Sequence, residues 1–191
     1  MMKVLFICSS PNRNGNTAKI LGELARRCEE KGAEVSWHFI AEMKIAGCKG
    51  CRSCRGTGVC SIEDDMTLVK ESIMSSDVVV LGSPIYMGAE TGQTKCFIDR
   101  LYSLFQPDPS GRPGSLVPKG KLAVTILTCG LKDGDKIYNY ENTKFFKVFV
   151  NLLGFDMVLS HIIPGMTRPE DALNNTYAVR ALDDAMSFMF P

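Results

Sequence analysis

Four cysteines stand close together in one short stretch of the chain, "CKGCRSCRGTGVC". They are Cys48, Cys51, Cys54 and Cys60, with the spacing C-x2-C-x2-C-x5-C. Gaps of two residues let successive thiolates face one centre while the intervening amides face its sulfides, which is how cysteine runs bind a cubane iron-sulfur cluster. The glycines between them allow the tight turns that such a site needs. The spacing therefore indicates a metal or redox centre with these four cysteines as ligands.

The charges around the cysteines favour the same chemistry. Residues 43–60 contain no acidic side chain and four basic ones, Lys44, Lys49, Arg52 and Arg55. Nearby positive charge favours ionised thiolates and offsets the negative charge of a thiolate-ligated cluster. Three interpretations stay open from the spacing: a [4Fe-4S] cluster, bare thiols, or zinc. Zinc is disfavoured because four-cysteine zinc sites usually consist of two separated C-x2-C pairs.

A polar loop, "SSPNRNGNT" at residues 9–17, follows the first apolar segment and precedes a helical pattern. A strand, a short loop and a helix amino terminus direct unpaired N–H groups and a partial positive charge at one point, which suits a phosphate. The loop has neither the dinucleotide fingerprint nor the ending of a nucleoside-triphosphate loop. Its neutral donors suit a terminal monophosphate such as that of FMN. The candidate phosphate ligands are Ser9, Ser10, Asn14, Asn16 and Thr17.

A second candidate loop follows the third apolar segment. It offers a stiff backbone, flat or polarizable side chains and exposed N–H groups, in Pro84, Ile85, Tyr86, Met87 and Gly88. An isoalloxazine ring needs such groups, because it is held by stacking on its faces and by hydrogen bonds along its polar edge. The two loops together predict a flavin mononucleotide site.

The elements that must position these loops alternate along the chain. Short apolar runs predict strands at residues 3–8, 33–40, 77–82, 121–128 and 156–163. The segment at residues 33–40 alternates in polarity, so we expect it near an edge. Periodicity and capping signals predict helices at residues 17–31, from Ser61 onward, and at 91–105, 142–154 and 169–188. This alternation predicts an α/β fold with an open parallel sheet, doubly wound by helices on both faces.

The composition indicates one domain, residues 1–191, and restricts its partners. The chain has 191 residues, 45% of them hydrophobic, and a net charge of +1, which disfavours nucleic acid or a membrane as a partner. We expect no export signal and a cytoplasmic location, where eight cysteines argue against a disulfide framework. The cysteines outside the run are expected to be small buried side chains: Cys8, Cys28, Cys96 and Cys129.

The loops "SSPNRNGNT" and "GSPIYMG…FIDR" resemble those of the flavodoxin-like NADPH-dependent FMN reductase superfamily, and the resemblance extends to about residue 165. It implies a flavodoxin-like five-stranded parallel sheet in the order 2-1-3-4-5, FMN at the switch point, and a homodimer or homotetramer. The cysteine run resembles the compact motif of the iron-sulfur flavoproteins of anaerobic archaea and bacteria. Those proteins join one [4Fe-4S] cluster and FMN in this fold. The run would then belong to a cysteine-rich insertion, residues 44–62, after the second strand.

The resemblance also implies roles for individual residues. It assigns the phosphate to the loop at residues 9–17 and the flavin ring to residues 84–88. Relatives often begin the phosphate loop with Gly-Ser-Pro-Arg, whereas here the arginine, Arg13, comes one place later. A third loop is expected to contact the flavin through Thr128, Cys129 and Gly130.

Three functional hypotheses are consistent with these features. The first is an iron-sulfur flavoprotein that transfers electrons from NAD(P)H or a ferredoxin-like donor through FMN and a [4Fe-4S] cluster. The second is a cluster-free NAD(P)H-dependent FMN or quinone reductase. The third is a non-enzymatic flavodoxin-like electron-transfer module. In each of them the cofactor performs the chemistry, and no side chain is needed as a catalytic acid or base.

Overall fold

Strands alternate with helices in the computed structural model of the chain, which describes residues 1–112, 114–138, 148–168 and 170–191. The strands are β1 (Lys3–Cys8), β2 (Glu34–Phe39), β3 (Val78–Tyr86), β4 (Ala89–Glu90), β5 (Leu122–Thr128) and β6 (Met157–Ile163). The helices are α1 (Asn16–Glu30), α2 (Met66–Ser75), α3 (Gly92–Arg100), α4 (Gly134–Ile137), α5 (Asp171–Asn174) and α6 (Thr176–Met189). Two 3-10 turns lie at Ile40–Glu42 and Leu101–Leu104.

The longer strands form a parallel sheet in the order β2-β1-β3-β5-β6, and β4 adds a short antiparallel pairing with β3. Because β4 lies off this path, the order is the predicted 2-1-3-4-5, and the flavodoxin-like α/β fold is confirmed. The central strands β1, β3 and β5 are buried over most of their length, as expected for apolar runs covered on both faces. Strand β2 alternates exposed and half-buried residues at one edge, as predicted.

Two apolar cores lie on opposite faces of the sheet. On one face, Ile20 and Leu24 of α1 pack with Leu182 of α6 against the central strands. On the other face, Ile73 of α2 and Phe97 of α3 belong to a separate core. This double covering places the amino termini of α1 and α3 at the carboxyl edge of the sheet, where ligands bind in open parallel sheets.

The second helix begins later than its sequence predicts. The sequence favours a start at Ser61, whereas α2 begins only after Asp65. The two aspartates bind backbone elsewhere: the Lys44 N–H donates to Asp65 at 2.7 Å, and the Ala46 N–H donates to Asp64 at 2.9 Å. The residues before α2 therefore form a loop across the base of the cysteine-rich segment (residues 44–62), and the predicted cap at Ser61 is wrong.

The last helix is divided in two. The sequence predicts one helix at residues 169–188, but Asn175 adopts an extended conformation between α5 and α6. Its side-chain oxygen accepts hydrogen bonds from the N–H groups of Tyr177 and Ala178, at 2.8 and 3.3 Å, and so caps α6. An internal asparagine therefore acts as a helix start.

Two other predicted helices are shorter than expected. The helix predicted at residues 91–105 ends at Arg100 and continues as a 3-10 turn. Of the helix predicted at residues 142–154, residues 142–147 lie outside the described residues, and Val148–Leu153 form a π-helical turn. Within the described ranges, no helix is both long enough and apolar enough to cross a bilayer.

Gly82 allows α1 to pack closely against β3 near the carboxyl edge of the sheet. A Cβ atom at this position would lie 2.6 Å from Cδ1 of Leu21 and 3.0 Å from Cγ2 of Thr17. Both neighbours are buried side chains of α1, so a larger residue at position 82 would have to displace these side chains or move the helix that carries them.

We predict that Gly82→Ala lowers the free energy of unfolding by about 1–3 kcal/mol, because the added methyl group overpacks the buried contact with Leu21 and Thr17. The control is Gly22→Ala, at an exposed position of α1 with open space around it. It should raise the free energy of unfolding by about 0.5–1 kcal/mol, because alanine favours the helix. Urea unfolding of both variants measures the difference. Equal effects of the two substitutions would contradict the close packing.

Candidate cofactor site

Loops at the carboxyl ends of β1, β3, β5 and β6 meet around one cleft of about 250 Å³. The cleft lies where the strand order changes direction between β1 and β3, the place where open parallel sheets bind ligands. Most of the predicted ligand residues line it: Ser10, Asn16, Thr17, Pro84, Ile85, Tyr86, Thr128, Cys129 and Gly130. Four others do not: Ser9, Asn14, Met87 and Gly88. The fold therefore brings three separate stretches of sequence to one place.

The amino terminus of α1 forms one end of the cleft. Gly15 precedes this helix in an extended conformation, and no side chain caps the first turn. The Oδ1 atom of Asn16 is buried without a hydrogen-bond partner. The Thr17 hydroxyl lies 2.7 Å from the Thr128 hydroxyl, which joins the start of α1 to the end of β5. Uncapped N–H groups at a helix amino terminus suit an anion, so this end fits a phosphate group.

A buried hydroxyl network ties the first loop to the second. The Thr91 hydroxyl donates to the Ser9 carbonyl at 3.2 Å and lies 2.9 Å from the Thr94 hydroxyl. The Ser83 hydroxyl lies 3.1 Å from the same threonine hydroxyl. Ser9 is fully buried and its own hydroxyl has no partner, so it lies beneath the cleft rather than in its lining. These bonds fix the spacing between the loops after β1 and β3.

The loop after β3 is a two-residue hairpin turn in an unusual conformation. Met87 and Gly88 connect β3 to β4, and both have positive φ angles, of 49° and 83°. Such turns favour asparagine or glycine at the first position, so a methionine there is strained. The Met87 side chain is fully exposed, and Tyr86 beside it is 51% exposed. A strained turn that presents two large side chains next to the cleft suits contact with a flat ring.

A fourth loop completes the cleft, and sequence reasoning missed it. The lining residues without a prediction are Asn12, Gly15, Met166, Thr167 and Arg168. The last three follow β6, and backbone hydrogen bonds join their loop to the third loop: Met166 N–H donates to Cys129 at 2.9 Å, and Gly165 N–H donates to Leu131 at 3.0 Å. These three residues could have been predicted from their position directly after a parallel strand, because ligands bind at that edge of the sheet.

Arg13 does not line the cleft. Its guanidinium binds the carboxylate of Glu42 through two nitrogens, one of them at 2.5 Å, and lies 3.9 Å from the centre of the Phe39 ring. Both partners lie at the end of β2, on the outer side of the loop. The arginine of the phosphate loop is therefore held away from the predicted phosphate position.

The cysteine-rich segment lies between β2 and α2, and some of its cysteine side chains are accessible to solvent. Cys48 and Cys51 are exposed, Cys60 is half-buried and Cys54 is buried. The Gly50 N–H donates to the sulfur of Cys48 at 3.4 Å. Hydroxyl groups at residues 53 and 61 lie 3.2 and 3.3 Å from the sulfur of Cys51, and their hydrogen bonds lower its pKa to about 7. This environment favours a thiolate near neutral pH.

Cys54 lies within electrostatic reach of the other three cysteines of the run. The pKa of Cys54 is raised by burial and by the charges of Cys60, Cys48 and Cys51. A set of four neighbouring thiols, with an amide donor and hydroxyl donors on its sulfurs, fits an iron-sulfur cluster in its chemistry. In the part of the chain that the structure describes, however, no three His, Cys, Asp or Glu side chains converge as ligands of a single metal ion.

A buried ion pair closes the base of this segment. Arg100 at the end of α3 is 2% exposed and binds the Asp64 carboxylate through two hydrogen bonds, at 2.6 and 2.9 Å. Its guanidinium also donates to the carbonyls of Ala46 and Ile62, at 2.9 and 3.1 Å. Arg100 therefore joins both ends of the cysteine-rich segment to α3. The pKa of Asp64 is held below its ordinary value, because the hydrogen bonds from Arg100 and from backbone N–H groups outweigh the effect of burial.

The cysteines outside the run follow the sequence expectation in three of four cases. Cys8, Cys28 and Cys129 are buried, whereas Cys96 on α3 is partly exposed. The sulfur of Cys96 lies 3.9 Å from the place of a Cβ atom on Gly47, the residue before the cysteine run. Cys96 therefore lies on the side of α3 that faces the cysteine-rich segment and not in either apolar core.

An open, doubly wound parallel sheet with a polar cleft at its switch point defines a flavodoxin-like nucleotide-binding protein. The family model of the NADPH-dependent FMN reductases matches residues 2–152, and the chain belongs to that family. Family membership makes it an FMN-dependent oxidoreductase and argues against the non-enzymatic module. The loop after β6 lies beyond the matched residues.

Individual proteins support the assignment. An iron-sulfur flavoprotein from Archaeoglobus fulgidus is 33% identical over 171 residues, which cover 89% of this chain and 74% of that protein. An FMN-dependent NADH-azoreductase from Bacillus anthracis, solved in complex with FMN, has a TM-score of 0.70 at 16% identity, with 100% of both chains covered. An NAD(P)H:quinone oxidoreductase from Methanothermobacter marburgensis has a TM-score of 0.73 at 15% identity, with 98% of both chains covered. The two structural neighbours show the shared fold.

We predict that Asp64→Asn lowers the free energy of unfolding by about 3–5 kcal/mol, because it leaves the buried Arg100 guanidinium without a counter-charge. The control is Asp99→Asn, which breaks an exposed ion pair with Lys95 on α3 and should change stability by less than about 0.5 kcal/mol. Urea unfolding measures both. Similar losses for the two variants would show that the buried pair does not hold the segment.

The same pair makes stability depend on pH. Because the pKa of Asp64 is lower in the folded state, its stabilisation is complete above the ordinary aspartate pKa and is lost as pH falls through the lowered value. Wild-type protein should therefore lose stability in acid more steeply than Asp64→Asn. Urea midpoints measured down through the acid range test this, and parallel curves would contradict it.

Proposed function

We propose that this chain binds FMN non-covalently in the cleft and works as a redox flavoprotein. The observation that carries this proposal is that the carboxyl end of β3 (residues 84–86) and the loops after β1, β5 and β6 converge on one cleft, with the uncapped amino terminus of α1 in its lining. Bound FMN would supply the chemistry, since a flavin accepts two electrons and can release them one at a time.

The chain's own residues would bind and orient the cofactor. The first turn of α1, with Asn16 and Thr17, would donate hydrogen bonds to the phosphate group. Residues 84–86 would contact the ring, with Tyr86 as the aromatic side chain, and residues 128–130 would line another side of the cleft. Met87 and Gly88 would shape the turn beside it. Among the described residues that line the cleft, the neutral groups able to exchange a proton are the Tyr86 phenol and the Cys129 thiol.

We further propose that Cys48, Cys51, Cys54 and Cys60 bind a [4Fe-4S] cluster. The spacing of the cysteines, their mutual electrostatic influence and the similarity to an iron-sulfur flavoprotein support this. A cluster would supply one-electron transfer, between a reduced donor such as NAD(P)H or a ferredoxin-like protein and an acceptor. A homodimer or homotetramer in the cytoplasm belongs to the same proposal.

A second candidate function is a cluster-free NAD(P)H-dependent FMN or quinone reductase. The observation that favours it is the arrangement of the thiols: within the described ranges, no three potential ligands converge on a single metal position. In this case the thiolate-favouring surroundings of Cys51 would make it a redox-sensitive surface group.

Cofactor counting separates the two functions. We expect protein purified and reconstituted without oxygen to contain one FMN per chain, with iron and acid-labile sulfide in the ratio of a [4Fe-4S] cluster. FMN without sulfide would favour the cluster-free reductase. Protein that holds no FMN in the presence of excess FMN would overturn the proposed function.

We predict that Cys54→Ala loses iron and sulfide but keeps FMN, because the cysteine-rich segment is separate from the FMN cleft. The control is Cys28→Ala, which also removes a buried thiol but lies on α1 away from the segment, and should keep both. Iron, sulfide and flavin are measured in parallel after anaerobic reconstitution. Loss of FMN together with iron in Cys54→Ala would mean that this cysteine supports the fold instead.

A further inference from the structure

The cleft carries little charge for a ligand with a phosphate group. A phosphate monoester carries about −1.5 to −2 charges near pH 7. Hydroxyl and amide groups can bind its oxygens but do not neutralise this charge. Among the described residues that line the cleft, Arg168 is the one with a charged side chain. Arg13 of the phosphate loop is bound to Glu42 and stacked on Phe39 outside the cleft.

The backbone around Arg168 is fixed close to the start of α1. The Asp171 carboxylate accepts hydrogen bonds from the N–H groups of Thr167 and Arg168, at 3.0 and 2.7 Å. A Cβ atom on Gly130 would lie 3.7 Å from Cγ2 of Thr167, so the third and fourth loops are in contact. The third loop in turn follows Thr128, whose hydroxyl meets that of Thr17 on α1. Arg168 accordingly lines the same cleft as Gly15, Asn16 and Thr17 at the start of α1.

The Arg168 side chain itself is only weakly held. It is 71% exposed, and its carboxylate contacts are long: 3.6 Å from Nε to Glu170 and 3.9 Å from Nη2 to Asp171. Exposed ion pairs at such distances contribute little to stability. A guanidinium that turns from these carboxylates to a phosphate would therefore lose little and gain charge-assisted hydrogen bonds.

We infer that Arg168 is the residue that neutralises the phosphate of the bound mononucleotide. In this role it substitutes for Arg13 of the phosphate loop, which binds Glu42 outside the cleft. Arg168 lies far from that loop in the sequence, after β6. This inference rests on the proposed function. It predicts that the chain distinguishes FMN from riboflavin, which lacks the phosphate, mainly through this side chain.

The test compares the binding of FMN and riboflavin to wild-type protein, Arg168→Gln and Arg168→Lys. The matched control is Arg180→Gln, an exposed arginine on α6 that also lies 3.6 Å from a carboxylate but does not line the cleft. Flavin fluorescence titrations at low and high salt give each dissociation constant. Arg168→Gln should weaken FMN binding about 10- to 100-fold, as expected for loss of a charged hydrogen bond, and leave riboflavin binding unchanged.

Two further readouts separate a charge effect from a structural one. Arg168→Lys should recover part of the FMN affinity, and the salt dependence of FMN binding should be smaller in Arg168→Gln than in wild type. Unchanged FMN binding in Arg168→Gln, or an equal loss for FMN and riboflavin, would overturn the inference and leave the proposed function standing. Wild-type protein that binds neither flavin would overturn the proposed function itself.

Discussion

The change of strand order at β1 is the constraint on which the site depends. The two strands that follow β1 in the chain, β2 and β3, pair on opposite sides of it, and the helices that follow β1 and β3, α1 and α3, pack on opposite faces. The loops after β1 and β3 must therefore diverge, and a crevice opens between them at the carboxyl edge. The hydroxyl network around Thr91 and the glycine at position 82 set the width of that crevice. The hydroxyl network and the glycine contact are both uncharged, so they hold the loops together without placing a charged side chain in the cleft.

The cysteine-rich segment is attached to α3 by a buried ion pair between Arg100 and Asp64. Its base is closed by Arg100 and Asp64, both poorly accessible to water, while Cys48 and Cys51 stay exposed. A buried charge pair of this kind adds little to stability over an apolar pair, but breaking it is costly, so it fixes the position of the segment on α3. Because α3 also begins at the hairpin after β3, one helix links the two proposed redox sites.

The sequence predicts the features that local patterns encode. Apolar runs located every long strand, and the stretches after the first and third runs located Thr17 and Tyr86 in one cleft. The family resemblance, not a local pattern, added Thr128. Features that depend on long-range partners were missed. Asp64 and Asp65 look like first-turn residues of a helix, but Asp65 binds the Lys44 N–H, and Asp64 binds the Ala46 N–H as well as that of Met66 at the start of α2. Arg168 lies in a short loop with no periodic signal, and its proximity to α1 arises only because β6 closes the sheet beside β5.

Amide hydrogen exchange with and without FMN tests whether this cleft is the flavin site, because it reports where the ligand is bound. FMN is expected to slow exchange in four separate stretches: the start of α1 with the loop before it, the end of β3 with its hairpin, residues 128–131, and residues 165–168. The cysteine-rich segment should keep its exchange rates in the metal-free protein. Protection confined to one of these stretches, or located at the cysteines and not at the carboxyl edge of the sheet, would contradict the claim that this cleft is the flavin site.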